Sequence, residues 1–384
     1  MLRNRLALIA VVSLGLCVAV GSPADDQAYL GIFAETTLTA MPGLAGLPGM
    51  ADMLKNLPEG MELPPQVAAM LKGGEAKRQL NIRLWSPGIA PQGATAWVVP
   101  PAGLKAGNKL NLTLYRPTAQ QGEVAMPPGM PKFEEMTLKI YWGSSPTVRP
   151  GQPRIIKVAD MPADKKAEMQ AKQQAAMAQG SSYYYKPDWT TAHWPNEEDE
   201  GTIANDATLA GDYALTTSYT GNVTLPVPAN VNFLAPFSLS SPDPKAVPDL
   251  TKALPLKWAA IPHALGLHAR IAGMEGRNTI VIWTSSENLP EGMESIDTDY
   301  PQMAEVRQWV ADKIMMEGTA TECTVPEGIF AKCAAAMLSM VGFGPGAALD
   351  QGQPIPRLQT KTTFNMNLSD MAKAAGMMMG PAGQ

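Results

Sequence analysis

The sequence predicts a mostly β protein with two β-sandwich domains of the immunoglobulin or fibronectin type, joined by a polar helix. Three observations support this fold class. Gly and Pro supply 34 and 35 of the 384 residues, an excess that favours turns over long helices. Many stretches alternate apolar and polar residues with a period of two, which is typical of strands with one buried face. A chain of this length with 45 % hydrophobic residues can bury more than one core.

The N-terminal sandwich is predicted over residues 25–158 and begins with a strand at residues 29–40. Residues 41–74 form an insertion rich in Met, Pro and Gly, whose turn signals interrupt the strand pattern. Alternation resumes at residue 76 and recurs until the domain closes near residue 158. Repeated short runs of this kind indicate antiparallel strands.

A polar connector helix is expected over residues 159–181, which are rich in Ala, Lys, Gln and Glu. Asp160 is placed to cap this helix, Pro162 suits its first turn and Gly180 its end. Its apolar stripe is thin, which indicates a solvated helix. An aromatic and acidic segment, residues 182–228, follows and contains a strand that we expect to join the first domain.

The C-terminal sandwich is predicted over residues 229–368. Alternation predicts strands around Trp258 and at Ile280–Thr284, and a further strand over Val306–Met316. Residues 369–384 form a tail rich in Met, Ala and Gly, which we expect to be flexible.

The first 24 residues have the three parts of a signal peptide. Arg3 and Arg5 form the basic start, Leu6–Val20 is apolar, and Ser22 and Ala24 occupy the small positions of a cleavage site. The apolar run has 15 residues, fewer than the roughly 20 that a membrane-spanning helix needs. We therefore expect no transmembrane span after signal removal, and a mature chain in the periplasm or outside the cell.

Two other interpretations of this segment stay open. An uncleaved anchor would keep the apolar run in the membrane. A lipoprotein would be acylated at Cys17, but the bulky Leu16 stands where a lipoprotein signal has a small residue, which disfavours this interpretation.

The charge balance excludes one class of partner. The chain has 30 Lys and Arg against 35 Asp and Glu, a formal charge of −5. Nucleic-acid binders normally carry a basic excess, because they neutralise phosphates. No nucleic-acid partner is therefore expected.

Cys323 and Cys333 are the cysteines of the mature chain. In an oxidising compartment such a pair predicts a disulfide. A turn signal at Val325–Gly328 lies between them, and would bring the flanking residues towards the Cα separation of about 5.5 Å that a bridge needs. The alternative is two buried thiols, which behave as small apolar side chains.

The candidate binding residues are aromatic. They are Tyr183, Tyr184, Tyr185, Trp189 and Trp194. Rings with an apolar face and a polar tip suit recognition surfaces, including those for sugars. The alternative is that the two tryptophans cover the edge of the sandwich, since large aromatic side chains are usually buried.

No catalytic residue is predicted. The three histidines are His193, His263 and His268, and the sequence has no Gly-x-Ser-x-Gly motif. His268 alternates with the apolar Leu267 and Ala269, which predicts that its side chain faces solvent.

No metal or other cofactor is predicted either. The acidic stretches Glu134–Glu135 and Glu197–Glu200 are interpreted as solvated loops, because adjacent acids rarely span a cleft. The chain has 24 methionines, many in the insertion and the tail, and thioethers are suitable Cu(I) ligands. Their spacing is irregular and no histidine lies near them in sequence, so copper binding is only a third alternative.

Residues 141–153 read Tyr-Trp-Gly-Ser-Ser-Pro-Thr-Val-Arg-Pro-Gly-Gln-Pro, and residues 280–287 read Ile-Val-Ile-Trp-Thr-Ser-Ser-Glu. Together with Cys323–Pro326, they resemble the signature of an uncharacterised family of secreted Gram-negative bacterial proteins. The resemblance covers most of the mature chain but implies no activity. The family often has Cys where this chain has Ser144, so a role for that thiol does not transfer.

A second resemblance concerns the fold alone. The pattern Trp258, Pro262, Ala264 is similar to fibronectin type III sandwiches, in which a core Trp precedes a hairpin. It implies a sandwich in the second half of the chain and no particular function.

These observations favour an exported, non-catalytic envelope protein that binds a protein partner or a glycan. The alternative is a hydrolase acting on cell-wall or polysaccharide substrates, which would need a histidine and an acid converging in one cleft. Periplasmic copper binding by methionines is the third function class.

The signal peptide leads to a testable prediction. Mass spectrometry of the protein isolated from the envelope should show Asp25 as the N-terminal residue, because cleavage is expected after Ala24. Diacylglycerol attached to Cys17 would contradict this and support a lipoprotein.

Overall fold

A computed structural model of the chain describes residues 27–42, 75–116, 133–167, 189–196, 201–290 and 301–369. The described residues are mostly β, which confirms this part of the predicted fold class. The strands are β1 (Tyr29–Ala40), β2 (Lys77–Ser86), β3 (Ala96–Val99), β4 (Leu110–Asn111), β5 (Thr113–Tyr115), β6 (Thr137–Trp142), β7 (Arg154–Lys157), β8 (Thr190–Trp194), β9 (Thr202–Ile203), β10 (Gly211–Thr217), β11 (Val223–Val227), β12 (Leu239–Ser241), β13 (Leu254–Trp258), β14 (Gly266–Glu275), β15 (Thr279–Thr284), β16 (Met316–Glu317), β17 (Glu322–Val325), β18 (Cys333–Phe343), β19 (Ala347–Ala348) and β20 (Ile355–Asn367). Helix α1 is Met303–Ala311, and three short 3₁₀ helices lie at Ala102–Leu104, Phe133–Glu135 and Val158–Asp160.

A sheet of 13 strands dominates the fold. Ten strands follow one another in the order β5-β8-β2-β1-β20-β18-β14-β15-β6-β7, and β9, β16 and β19 pair at its sides. β1 runs parallel to β20 at the centre, with Tyr29 opposite Ile355 and Ala40 opposite Met366. β6 also runs parallel to its neighbour β15.

Two smaller sheets cover one side of the large sheet. The first has the order β11-β10-β3-β4, and the second has the order β12-β13-β17. One hydrophobic core, with Leu30, Ile82 and Tyr213, lies between the large sheet and the first small sheet. A second core, with Trp258 and Trp283, lies between the large sheet and the second small sheet. Two sandwich-like cores thus share one large sheet.

The predicted division into two domains is not confirmed. β1 belongs to the predicted first sandwich but pairs with β20 of the predicted second sandwich. β6 likewise belongs to the predicted first sandwich but pairs with β15 of the predicted second sandwich. Strand pairing depends on where the chain returns in space, which the order of alternating segments does not specify.

The other side of the large sheet, which we call the outer face, carries the alternate residues of each strand. Leu30, Ile32 and Ala34 of β1 point into the first core. Glu35 points to the outer face, where its carboxylate lies 3.6 Å from the ammonium group of Lys361. This alternation follows from the period-two geometry of a strand.

Residues Met303–Ala311 form a helix, so the strand predicted over Val306–Met316 is wrong. Gln302 and Glu305 make a capping box that starts the helix. Val306 and Val310, four positions apart, pack beside Gly266 of β14, where an added Cβ would lie 2.8 Å from Val310. The spacing of three and four among Val306, Trp309 and Val310 is helical, and the short apolar run obscured it.

Several predictions fall wholly or partly on residues outside the described ranges. The signal peptide, the insertion after residue 42 and the tail after residue 369 lie outside them. Of the predicted connector helix, residues 163–167 are helical and residues 168–188 are not described. In the segment 182–228, β8 pairs with β2 and β10 pairs with β3.

The predicted disulfide is not formed in the structure, because Cys323 and Cys333 are both free thiols. Cys323 lies in β17, opposite Leu256 of a small sheet. Cys333 begins β18 of the large sheet, opposite Glu275. The intervening turn therefore leads from one sheet to another and does not close a hairpin, which removes the basis of the prediction. Burial raises the pKa of each thiol to about 12.

None of the helices in the described residues is long and apolar enough to cross a membrane.

Trp194 provides a test of the first core. Its side chain is 2 % exposed and belongs to this core. Trp194→Ala should lower the free energy of unfolding by about 3 to 5 kcal/mol, through lost apolar contact and a residual cavity. Tyr115→Ala, at a ring that is 48 % exposed, should cost under about 1 kcal/mol. Denaturant titrations measure both values, and equal losses of unfolding free energy would contradict the placement of Trp194 in the first core.

Candidate functional site

The structure corrects the interpretation of Trp189 and Trp194 as ligand-binding rings. Trp194 points into the first core, and Trp189 is 7 % exposed in an outer-face cluster with Phe33 and Trp85. Neither ring presents a face to solvent, which agrees with the alternative that they are packed. Tyr183, Tyr184 and Tyr185 lie outside the described residues.

His268 is buried on the outer face, so the prediction that it faces solvent is wrong. It is 4 % exposed. Its Nε2 lies 2.6 Å from Oγ1 of Thr284, which in turn lies 2.9 Å from Oγ of Ser286. Helix α1 packs beside the neighbouring Gly266, and so covers a face that alternation alone assigns to water.

Burial lowers the pKa of His268 to about 3, and the positive charge of Arg270 lowers it further. The imidazole is therefore neutral at physiological pH. Its hydrogen-bond partner is a hydroxyl group, whereas a Ser-His-acid triad needs a carboxylate that orients the imidazole and supports its positive charge. This arrangement satisfies a buried polar side chain and does not activate a nucleophile.

A surface aromatic pair lies at the edge of the large sheet where β5 is the last described strand. The rings of Tyr115 and His193 stack with centroids 4.5 Å apart and planes 5° from parallel. Tyr115 is 48 % exposed. One face of its ring contacts the imidazole, so a ligand can stack only on the other face.

Strand register places Arg83 beside this pair. His193 of β8 lies opposite Thr113 of β5 on one side and opposite Arg83 of β2 on the other. Burial lowers the pKa of His193, and the charge of Arg83 lowers it further, so the stacked imidazole is neutral at pH 7. We call Tyr115, His193 and Arg83 the edge platform.

Local sequence patterns do not single out the edge platform. A signal was present, because the apolar residues Leu110, Leu112 and Leu114 alternate with outward positions that end at Tyr115. The stacking partner His193 is 78 positions further along the chain. That contact exists because β5 and β8 pair, which no local pattern predicts.

The segment 141–153 that resembles a family signature forms a hydrogen-bonded loop. Arg149 donates to the backbone oxygen of Ser144 and forms a salt bridge of 2.7 Å with Glu287. The hydroxyl oxygen of Ser144 accepts a hydrogen bond of 2.8 Å from the backbone N–H of Thr324. Gly143 has φ of 88°, and an added Cβ would lie 2.3 Å from the Arg149 guanidinium.

These contacts give the loop a structural role. Burial raises the pKa of Glu287, but hydrogen bonds from Arg149 and from the Ser144 backbone outweigh this effect and leave it lowered. The carboxylate therefore stays ionised and paired. It joins the end of the β6 strand to the segment that follows β15, and Ser144 joins both to β17.

The acidic and methionine-rich stretches provide no further site in the described residues. Glu134 and Glu135 lie in an exposed 3₁₀ helix, and Glu197–Glu200 are not described. In the described part of the chain, no three His, Cys, Asp or Glu side chains are grouped to hold a metal ion. The methionines of residues 50–70 and 371–379, proposed as copper ligands, lie outside that part.

Comparison with known proteins does not assign the chain to a family. No family model matches the sequence, and no curated protein matches it.

The buried imidazole leads to a prediction about pH. Unfolded His268 takes up a proton near its ordinary pKa of about 6.5, whereas folded His268 does so only near 3. Stability is therefore complete above pH 6.5 and falls as pH drops towards 3. Between pH 7.5 and 5 this residue should account for a loss of about 2 kcal/mol, which His268→Gln should not show.

The control is His263→Asn, at an exposed turn position with φ of 67° that Asn tolerates. This variant should keep the acid sensitivity of the parent protein. Denaturant midpoints at the two pH values measure the effect. The same loss in the parent and in His268→Gln would contradict the pKa assignment.

Proposed function

We propose that the chain is an exported envelope protein that binds a glycan without chemically altering it. The proposal rests on two sets of observations. The N-terminal sequence has the parts of a signal peptide, which supports export. The edge platform supplies an exposed, oriented aromatic ring with polar neighbours, which suits a sugar ligand.

The observation that carries the proposal is the stack of Tyr115 on His193. Large aromatic side chains are highly buried on average, yet this ring is 48 % exposed. The parallel imidazole holds it in one orientation, which reduces the entropy lost when a ligand stacks on it. The C–H face of a sugar ring is flat and weakly polar, so it can cover the open side of the phenol.

The neighbouring residues can bind sugar hydroxyl groups. Thr113 and Thr191 lie opposite His193 and Tyr115 in the strand register, on the same face of the sheet. Thr113 is exposed and Thr191 is partly exposed, and each hydroxyl both donates and accepts hydrogen bonds. An aromatic ring flanked by such groups has the composition expected of a small polar-ligand site.

The hydrolase alternative has weaker support. Of the three histidines, His268 bonds a buried hydroxyl, His193 stacks on Tyr115, and His263 lies in an exposed turn. Hydrolysis of a polysaccharide by paired acids would need two carboxyl groups across a cleft. Glu287, the carboxylate nearest the signature loop, is held in a salt bridge with Arg149.

A protein partner is the second candidate, favoured by the other edge of the large sheet. β7 is the last strand of the described sheet at that edge, and its Ile155 is 56 % exposed. An edge strand with an exposed apolar side chain can pair with a strand of another protein. β7 has only four residues, which limits the length of such pairing.

The test measures binding of the purified mature protein to immobilised dextran, chitin and alginate. If the platform binds sugar, Tyr115→Ala should weaken binding about tenfold or more, which corresponds to roughly 1.4 kcal/mol. Tyr115→Phe keeps the ring and should bind nearly as well as the parent. Ile155→Ala, at the opposite edge, serves as the matched control and should leave glycan binding unchanged.

Binding that Tyr115→Ala does not weaken would contradict the proposed site. Absence of binding to all three glycans by the parent protein would contradict the proposed function. A protein captured by the parent and lost in Ile155→Ala would support the second candidate instead.

A further inference from the structure

The outward residues of β1, β2 and β20 carry more positive than negative charge, although the whole chain is acidic. Among the outward residues of β1, β2 and β20, the cations are Lys77, Arg83, Arg357 and Lys361. The carboxylate on the same face of these strands is Glu35, which is already paired with Lys361. The formal charge of the chain is −5, so this local positive charge runs against the overall balance.

Arg116 follows Tyr115 directly, but its guanidinium donates to the backbone oxygens of Ala90 and Pro91. Arg83 is the outward cation that the strand register places beside the stacked pair. It lies directly opposite His193 in the strand register, and its charge contributes to the lowered pKa of that histidine. In the described residues Arg149 and Lys139 are held in salt bridges, with Glu287 and Glu275 respectively. Arg83 forms no salt bridge within these residues, and its side chain is partly exposed.

The two neighbours of Arg83 on the platform carry no charge that could compete for an anion. The lowered pKa of His193 keeps that side chain neutral at pH 7. The phenol of Tyr115 can donate one hydrogen bond. A ligand that stacks on Tyr115 and extends past His193 towards β2 therefore reaches one full positive charge, that of Arg83.

We infer that the glycan bound by the edge platform is acidic, with Arg83 pairing to a carboxylate or phosphate on the sugar next to the one that stacks on Tyr115. The inference rests on the proposed glycan-binding function and specifies its ligand class. A planar guanidinium can bind either anion with two parallel hydrogen bonds. The anion is selected by Arg83 and the sugar ring by Tyr115, so the two contributions are separable.

The experiment compares one neutral and two acidic polysaccharides as probes. Dextran is neutral, alginate carries carboxylates and phosphomannan carries phosphates. The full mature protein should bind one or both acidic probes about tenfold more tightly than dextran, in the range of a charge-assisted hydrogen bond. This preference should shrink as ionic strength rises from roughly 0.05 to 0.5 M, because salt screens partly exposed charges.

Arg83→Gln should remove the preference for acidic probes, so that its affinities for alginate and phosphomannan fall to its own affinity for dextran. Lys77→Gln removes the same charge from the same face of the same strand, six residues away. At roughly 3.3 Å per residue it lies about 20 Å from Arg83, beyond the screening length, and should leave the preference intact. The difference between alginate and phosphomannan identifies the anion.

The outcomes separate this inference from the proposed function. Equal binding of dextran and both acidic probes, lost in Tyr115→Ala, would overturn the acidic-ligand inference and leave glycan binding standing. If Lys77→Gln abolished the preference for acidic probes as fully as Arg83→Gln, the acidic-ligand inference would also be overturned. The preference would then come from general surface charge and not from Arg83. Binding to none of the probes would overturn both.

Discussion

The parallel pairing of β1 with β20 at the centre of the large sheet determines how the rest of the molecule is arranged. Twelve consecutive residue pairs join the two strands, from Tyr29 and Ile355 to Ala40 and Met366. Parallel neighbours cannot be connected by a tight hairpin, so the chain between them has to return to its starting side. It does so by building β2, β8 and β5 on one side of the pair, and β18, β14, β15, β6 and β7 on the other.

This arrangement explains why two cores share one sheet. The inward residues of β1 contribute Leu30 and Ile32 to the first core, and Phe364 and Met366 of β20 belong to the second. Each small sheet covers one half of the large sheet. Because the same strands serve both cores, a substitution in the central pair is expected to lower the stability of both halves. Neither half is expected to fold separately.

The large sheet also determines what its outer face can do. Helix α1 covers the region around Gly266, so His268 and its hydroxyl partners are buried there. At the β5 edge, the pairing of β5 with β8 and of β8 with β2 places a tyrosine, a histidine and an arginine in one group. The buried group satisfies its own polar atoms, whereas the edge group leaves a ring and a charge exposed. The proposed glycan-binding function follows from this difference.

Much of the fold class could be predicted from local sequence, because period-two alternation and turn residues depend only on near neighbours. The strands around Trp258 and at Ile280–Thr284, and the first strand at residues 29–40, lie where that pattern predicts them. Helix α1 was missed, since its apolar residues fit both a short strand and a helix until the capping box is recognised. The disulfide prediction depends on the expected compartment and on the spacing of the two cysteines, and the structure shows free thiols on two different sheets.

The site depended on contacts that local sequence does not encode. Tyr115 and His193 meet because β5 and β8 are neighbours, although 78 positions separate the two residues. The burial of His268 depends on what lies over the outer face, while its alternation with Leu267 and Ala269 is the same whether or not anything covers it. Alternation determines which side of a strand a residue faces. Burial is decided by the element packed against that side, because removal from water requires atoms from another part of the chain.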